Sequence, residues 1–450
     1  MSSTATRIRT DTRSDVATQT DMRATIRTIA LVIATITFCI LLISFRPFNP
    51  LSAVADGDAS SGGDVINQLG FGCLGAVALL SLAMFADPKK VLKIVSPGWL
   101  LMFAFLFASV FASPDPSTAI RGVLLTMIGI LTVIAVLSLP QDGDAYASML
   151  VTVASIVIVI SYAGVVLLPN LGTHGADALE PQNAYLWRGV FTHKNIAGPV
   201  MAAFAFAGVY LWRRGWRVSG FLIAVSALIF VSQTGSKTTA ALVPLAMLLV
   251  IVPGIFGLRF LAPVAVFTIQ FLLALFTFGT VLFEPMHPFV LQLDVDPTFT
   301  GRTSIWAFAV EALSQRPWTG FGYESFWGTP IVKEAANPYY LDWDVRGIVH
   351  GHNGYLDIAL SMGIPALICA IFVVIVMPLV NYMRCRPVRE NLLLADFFLM
   401  IVFFGTLNAM LESFFFRRMD PVWLTLILAV FGLRLTAKVI IHKRVVGATA

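Results

Sequence analysis

Residues able to do acid–base chemistry crowd into one short stretch of an otherwise apolar chain: His350-Gly351-His352-Asn353, with Asp357 one helical turn beyond Asn353. They stand at the start of an apolar run that continues to about Val380, where a membrane helix would meet water. Ionisable groups in that position are costly to desolvate and persist where they have a partner or a task. A neutral imidazole, with an ordinary pKa of about 6.5, can take a proton from a hydroxyl as that hydroxyl attacks. The bland alternative for His352 is a histidine that caps a helix against a loop carbonyl. His350 reads as a helper or a bystander.

Arg188 and Arg302 lie in the two substantial hydrophilic loops, about Pro169 to Ala197 and Glu284 to His352. Two guanidiniums facing one site suit a diphosphate, because each can make bidentate charge-assisted bonds to its oxygens. Anchoring the loops to lipid phosphates or to nearby carboxylates is the competing reading. Arg121, at the start of an apolar run, either joins them or snorkels to the interface. His193, Lys194 and Asn195 follow Arg188 at the entrance to the next run, and Glu412 ends another beside Arg417 and Arg418. Glu412 either orients an arginine or makes a local ion pair worth little. The histidine spacings fit no metal-ligand pattern, and no carboxylate cluster accompanies them, so no metal and no cofactor is expected.

The elements that must position these residues follow from composition. Of 450 residues, 58% are hydrophobic and 12% charged, against roughly 25% charged in a soluble globular chain. The fold class is therefore an all-α polytopic membrane protein. Apolar runs of spanning length fall at about 28–45, 65–86, 98–112, 119–139, 149–168, 197–212, 218–231, 239–257, 261–283, 353–380, 392–411 and 421–437, a reading of about twelve helices. The domains expected are a disordered tail (1–27), helices one to nine (28–283), a large loop (284–352), helices ten to twelve (353–437) and a second tail (438–450). The run after the first tail is too long for a secretory h-region. The +5 net charge needs no nucleic acid. Lys and Arg gather in alternate short loops, which places both termini in the cytoplasm and the two long loops outside. Within the large loop, Thr300 to Leu313 reads as a capped amphipathic helix on the membrane surface, with Thr300 or Thr303 as its cap and Trp306, Ala309, Val310 and Leu313 on one face. The four cysteines, Cys39, Cys73, Cys369 and Cys385, suggest no disulfide framework.

In this order the chain resembles the O-antigen ligase and polymerase superfamily, and within it the exopolysaccharide production proteins of the ExoQ kind. The stretches that carry the resemblance are Arg188 to Asn195 before a span, Ser232 to Lys237 between spans, Gly301-Arg302 with Trp306, Gly320-Phe321-Gly322, and His352-Asn353 followed by Gly363. The ligase pattern of His-Asn, nine residues, Gly, two residues and then Gly, Thr or Tyr is met except at its end, where Ala366 stands.

The resemblance implies a metal-independent, inverting glycosyltransferase acting on undecaprenyl-diphosphate-linked oligosaccharide at the periplasmic face of a bacterial inner membrane. It assigns His352 as base and Arg188 and Arg302 as diphosphate ligands, with Arg121 an added candidate; Asn353, Asp357, His193, Asn195 and Glu412 have supporting places. Chain-length regulator and export proteins are the partners it suggests, besides membrane lipids. A polymerase joining lipid-linked repeat units is the leading expectation. The alternatives are a ligase passing glycan to lipid A core or another acceptor, a flippase for lipid-linked oligosaccharide, and a non-catalytic assembly partner. In either enzyme, departing diphosphate charge needs stabilising and a weakly nucleophilic hydroxyl needs a base. Trp306, Trp318, Tyr323, Trp327, Tyr339, Tyr340 and Trp343 are candidates to stack on sugars or to anchor the interface.

Overall fold

The apolar runs fold as helices. The computed structural model describes residues 3–49, 65–175, 181–282, 301–336 and 344–444, with side chains from Met22 onward. In chain order the helices are α1 (Ser3–Ile43), α2 (Val65–Phe85), α3 (Pro88–Ile94), α4 (Pro97–Ala112), α5 (Pro116–Ser138), α6 (Gly143–Leu167), α7 (Lys194–Arg214), α8 (Arg217–Gln233), α9 (Lys237–Ile255), α10 (Leu261–Leu282), α11 (Arg302–Gln315), α12 (Gly354–Met362), α13 (Ile364–Met383), α14 (Arg389–Asn408) and α15 (Pro421–Lys438). Helix α1 takes in most of the segment expected as a tail, and its apolar part is Met22–Ile43. Among the described residues, ten helices are long and apolar enough to cross a membrane. The number is eleven if α3 and α4, bent by 69° at their break, form one span. The protein is an all-α, multi-pass membrane protein. The expected twelve is not reached on length, because α8 has only 17 residues and α4 counts only together with α3.

Helix starts follow local chemistry. Asp87, Asp115 and Asp420 each precede a proline, and each accepts hydrogen bonds from amides of the first turn, as Asp115 does from Ser117 and Thr118 at 3.1 Å. Proline has no N–H to leave unsatisfied there, and the aspartate satisfies those that remain.

One expected span is corrected. The run 353–380 is two helices, because Gly363 adopts φ +85° and separates α12 from α13. A β-carbon on Gly363 would lie 2.2 Å from the Trp318 carbonyl oxygen, so the break between the two helices closes only without a side chain. His352 and Asn353 therefore precede a separate nine-residue helix rather than the membrane span itself.

The centre of the bundle is α14 and α15 with α7, whose residues are mostly enclosed, whereas α2, α9 and α10 present apolar faces outward. Such faces suit lipid, which is as apolar as the side chains themselves. The basic loops gather at one end. There Asp396 accepts from Arg213 (2.8 Å), Arg259 (2.6 Å) and Tyr382 (2.9 Å), and Arg214 pairs with Glu390 (2.8 Å) and Asp144 (2.9 Å). Asp396, the clearest charge inside an apolar run, is thus neutralised in place.

At the other end the large loop folds onto the bundle. Trp306, Ala309 and Ala312 of α11 pack with Phe321, Phe326, Val332, Val345, Leu356 and Leu360 in a small separate core. Helix α11 starts at Arg302 behind Gly301 in the left-handed conformation, with no threonine side-chain cap. Thr300, Tyr339, Tyr340 and Trp343 lie outside the described residues.

Candidate active site

The turn after α14 is a socket. Its carbonyls at Ala409 and Glu412 accept from the Gly354 amide (2.7 and 3.1 Å), and that at Met410 accepts from Asn353 Nδ2 (3.1 Å). Ser413 Oγ accepts from the Asn353 amide at 3.0 Å. Asn353 Oδ1 in turn accepts from the amides of Tyr355 (3.1 Å) and Leu356 (3.2 Å), which makes this wholly buried residue the N-cap of α12. The preceding residues are gripped from the other side. Trp306 Nε1 donates to the Gly351 carbonyl (2.9 Å), and Asp357 Oδ1 accepts from the Gly351 amide (3.2 Å) and from Trp327 Nε1 (2.7 Å). A β-carbon at Gly351 would approach Asp357 Oδ1 to 2.6 Å, so only glycine lets the loop close this tightly.

Between these clamps His352 is held at φ +48°, a sparsely populated conformation for a residue with a side chain. Strain of this kind persists where the surroundings over-determine it, and it clusters at functional sites. Its Nδ1 lies 3.6 Å from Glu412 Oε2, an ion-pair distance on protonation but too long for a hydrogen bond. Glu412 Oε1 also accepts from Arg302 Nη2 (3.1 Å) and Asn195 Nδ2 (3.2 Å), while Arg302 Nη1 donates to the Leu411 carbonyl. Residues from four distant parts of the chain, Asn195, Arg302, His352 and Glu412, thus meet at one carboxylate. The His352 side chain remains 24% exposed, within reach of a substrate.

Burial alone would raise the Glu412 pKa, but His352 and Arg302 outweigh it and hold the carboxyl below its usual range. The His350 ring packs on His352 with centroids 4.1 Å apart, and its buried Nδ1 has no hydrogen-bond partner. Burial first, then the nearby His352, Arg417, Arg302 and His193, push His350 well below the ordinary histidine value, which leaves it neutral at pH 7. Beside this pair opens a cavity of about 500 Å³, lined among others by His350, Asp357, Trp327 and Arg417.

Not every expected residue arrives here. Arg188 is 2% exposed and gives its guanidinium to three backbone carbonyls, of Thr173 (3.2 Å), Phe191 (2.9 Å) and Phe48 (3.1 Å). In this arrangement it staples three loop segments together and does not face a shared anion with Arg302. Arg121 is exposed and bonds Thr118 of its own helix at 2.9 Å. His193 caps α7, its Nδ1 accepting from the Asn195 amide at 3.1 Å, so that it positions Asn195. Trp306 and Tyr323 are buried and cannot stack on sugars, whereas Trp318 is exposed and Trp327 faces the cavity. Arg417, which the sequence placed beside Glu412 as one of two arginines it could orient, lines the cavity.

Residues 194–371 match the family model described as O-antigen ligase. This stretch is similar to the O-antigen ligase family. No curated protein matches the chain. The matched stretch runs from the start of α7 into α13 and contains Asn195, Arg302, His350, His352, Asn353 and Asp357, while Glu412 and Arg417 stand beyond its end. The match supports membership of the ligase and polymerase superfamily, and with it a role of ligase or polymerase type in glycan assembly.

Proposed function

We propose that the chain is an exopolysaccharide polymerase of the ExoQ kind, an inverting glycosyltransferase. It transfers glycan from undecaprenyl diphosphate to a sugar hydroxyl of another lipid-linked repeat unit. The observation that carries this reading is the convergence of His352, Arg302 and Asn195 on Glu412. With Glu412 facing Nδ1, the proton of neutral His352 belongs on Nδ1, and Nε2 is left as the basic nitrogen. Nε2 takes the acceptor hydroxyl proton as the oxygen attacks the anomeric carbon. The bond from that carbon to the diphosphate oxygen breaks on the opposite face, and the electron pair leaves with the diphosphate. Arg302 has N–H donors beyond the two accounted for, and these stabilise the departing charge.

The same geometry supports the site's facing outward, with both termini cytoplasmic in a bacterial inner membrane, because the basic loops lie at the opposite end of the bundle. A ligase reading, with lipid A core or another molecule as acceptor, is favoured by the family description. The two share the donor chemistry and differ only in acceptor. A flippase would not need a base oriented by a carboxylate.

Strains carrying His352→Ala or Glu412→Gln test the proposal through polymer length and lipid-linked single units. Loss of the base costs about 10²–10⁴-fold in turnover, and loss of the residue that orients it about 10²-fold, the lower end of the same range. Long chains should vanish while single units accumulate. Normal polymer in the His352→Ala strain would falsify the assignment, and loss of glycan from lipid A with polymer intact would favour the ligase.

A further inference from the structure

The cavity beside the histidine pair has two chemically different walls. One is apolar and includes Leu42 of α1, Phe71 of α2 and Leu125 of α5, all outside the matched stretch. The polar lining includes Arg417, from the turn between α14 and α15. Among the described residues the Arg417 guanidinium makes one hydrogen bond, from Nη1 to the Ser413 carbonyl at 3.2 Å. The acidic residues of the lining have other direct partners, and the Arg417 charge reaches Asp357 and Asp420 without an ion pair among the described residues. Glu324 lies 3.4 Å from Arg418, Asp357 serves Trp327 and Gly351, and Asp420 accepts from the amides of Val422 (2.8 Å) and Trp423 (3.1 Å). The buried, unpartnered Nδ1 of His350 belongs to the same cavity.

A cation with donors to spare, a greasy wall and an unpaired imidazole nitrogen describe a site for an amphipathic anion that also carries hydroxyl groups. Position narrows the choice. In the transfer proposed above, the leaving diphosphate is attached to the carbon under attack, so its seat must lie within about one sugar ring of the base. The His350–His352 contact sets the cavity one imidazole away from that base.

We propose that this cavity seats the donor's diphosphate and its first isoprene units, with Arg417 an anion-binding residue working beside Arg302. The apolar wall from α1, α2 and α5 makes those helices part of the site. This rests on the glycosyl-transfer reading. Arg417 then fills the place that the sequence offered to Arg188.

The test uses the full-length protein in nanodiscs, titrated with undecaprenyl diphosphate, and with undecaprenol and phosphatidylglycerol as comparison ligands. Wild type should bind the diphosphate more tightly than either comparison ligand. Arg417→Gln should weaken diphosphate binding about tenfold or more, the effect of losing a charge-assisted contact, and leave undecaprenol binding unchanged. Leu125→Trp, which fills the apolar wall, should weaken both isoprenoids. Arg346→Gln, on an exposed pair with Asp344 outside the cavity, should change neither. Equal diphosphate binding by Arg417→Gln and wild type overturns the proposal. So does displacement of the diphosphate by equimolar phosphatidylglycerol, which would mark a general site for anionic lipid. Should Arg417→Gln fail to fold, Leu125→Trp decides, and undiminished diphosphate binding by it is equally fatal. Wild type that binds no undecaprenyl diphosphate defeats the transfer reading itself. Lost polymer in His352→Ala with unaffected binding in Arg417→Gln defeats the cavity assignment alone.

Discussion

Glu412 serves three partners with two oxygens, and its ionisation state governs all of them. Burial favours the neutral acid, but His352 and Arg302 together hold the pKa below the usual value. Its contribution to stability is therefore full above the unfolded carboxyl value of about 4.3 and is lost as pH falls through the lower folded value. His350 titrates in a more accessible window. Its folded pKa is depressed, so below about pH 6.5 the unfolded chain takes up a proton that the folded chain refuses. Stability should fall by up to about 1.4 kcal/mol per pH unit below that point. Thermal unfolding in detergent at pH 7.5 and 5.5 should show the loss, and His350→Gln should flatten it; an unchanged slope in the variant would assign the effect elsewhere. His352, Asn353 and Arg302 were legible in the sequence because polar residues amid apolar ones announce themselves. The different settings of Arg188 and Arg417 were not. Both are arginines in loops on one side. What separates them is whether carbonyls of Phe48, Thr173 and Phe191 fold over the guanidinium, and Phe48 lies far away in sequence.

At the level of helices, hydropathy located nearly every run but misread its breaks. The stretch from Asn353 to Val380 is apolar enough to look continuous, and hydropathy carries no information about a positive φ. The Gly363-Ile364-Pro365 sequence held the signal, since glycine permits that backbone and proline favours the first turn of a new helix. Separation of α12 from α13 lets α12 pack against α11 and hold its N-cap over the socket. Gly363→Ala forces a side chain into the left-handed region and against the Trp318 backbone. It should cost about 2 kcal/mol or more, read as a lowered melting temperature with polymer lost alongside. A variant that melts like wild type would show that α12 tolerates rejoining α13. Similarly, α11 was legible from its periodicity, but its placement was not. Trp306 points into the loop core and bonds Gly351.

For the molecule as a whole, charge asymmetry between loops was enough to sort the two ends, and the structure gathers the basic loops where the counting put them together. It also supplies their acids. Asp396→Ala removes the shared acceptor of Arg213, Arg259 and Tyr382. Removing one partner of a buried ion cluster costs about 3–5 kcal/mol. The variant should therefore unfold at markedly lower temperature in detergent, and an unshifted melting curve would show the cluster to be inert. Helices α7 and α14 are joined by Arg213–Asp396 and Arg214–Glu390 at one extremity, and at the other Asn195 of α7 bonds Glu412 in the turn after α14. Two rods held at the ion-paired end behave as a lever once the single Asn195–Glu412 hydrogen bond gives way. A rod of 20 residues is about 30 Å long, so a swing of about 2° around the fastened end carries the far tip about 1 Å. A misalignment of that size is enough to change a rate by about a hundredfold. The fulcrum thus lies a whole helix length away from the carboxylate it aims.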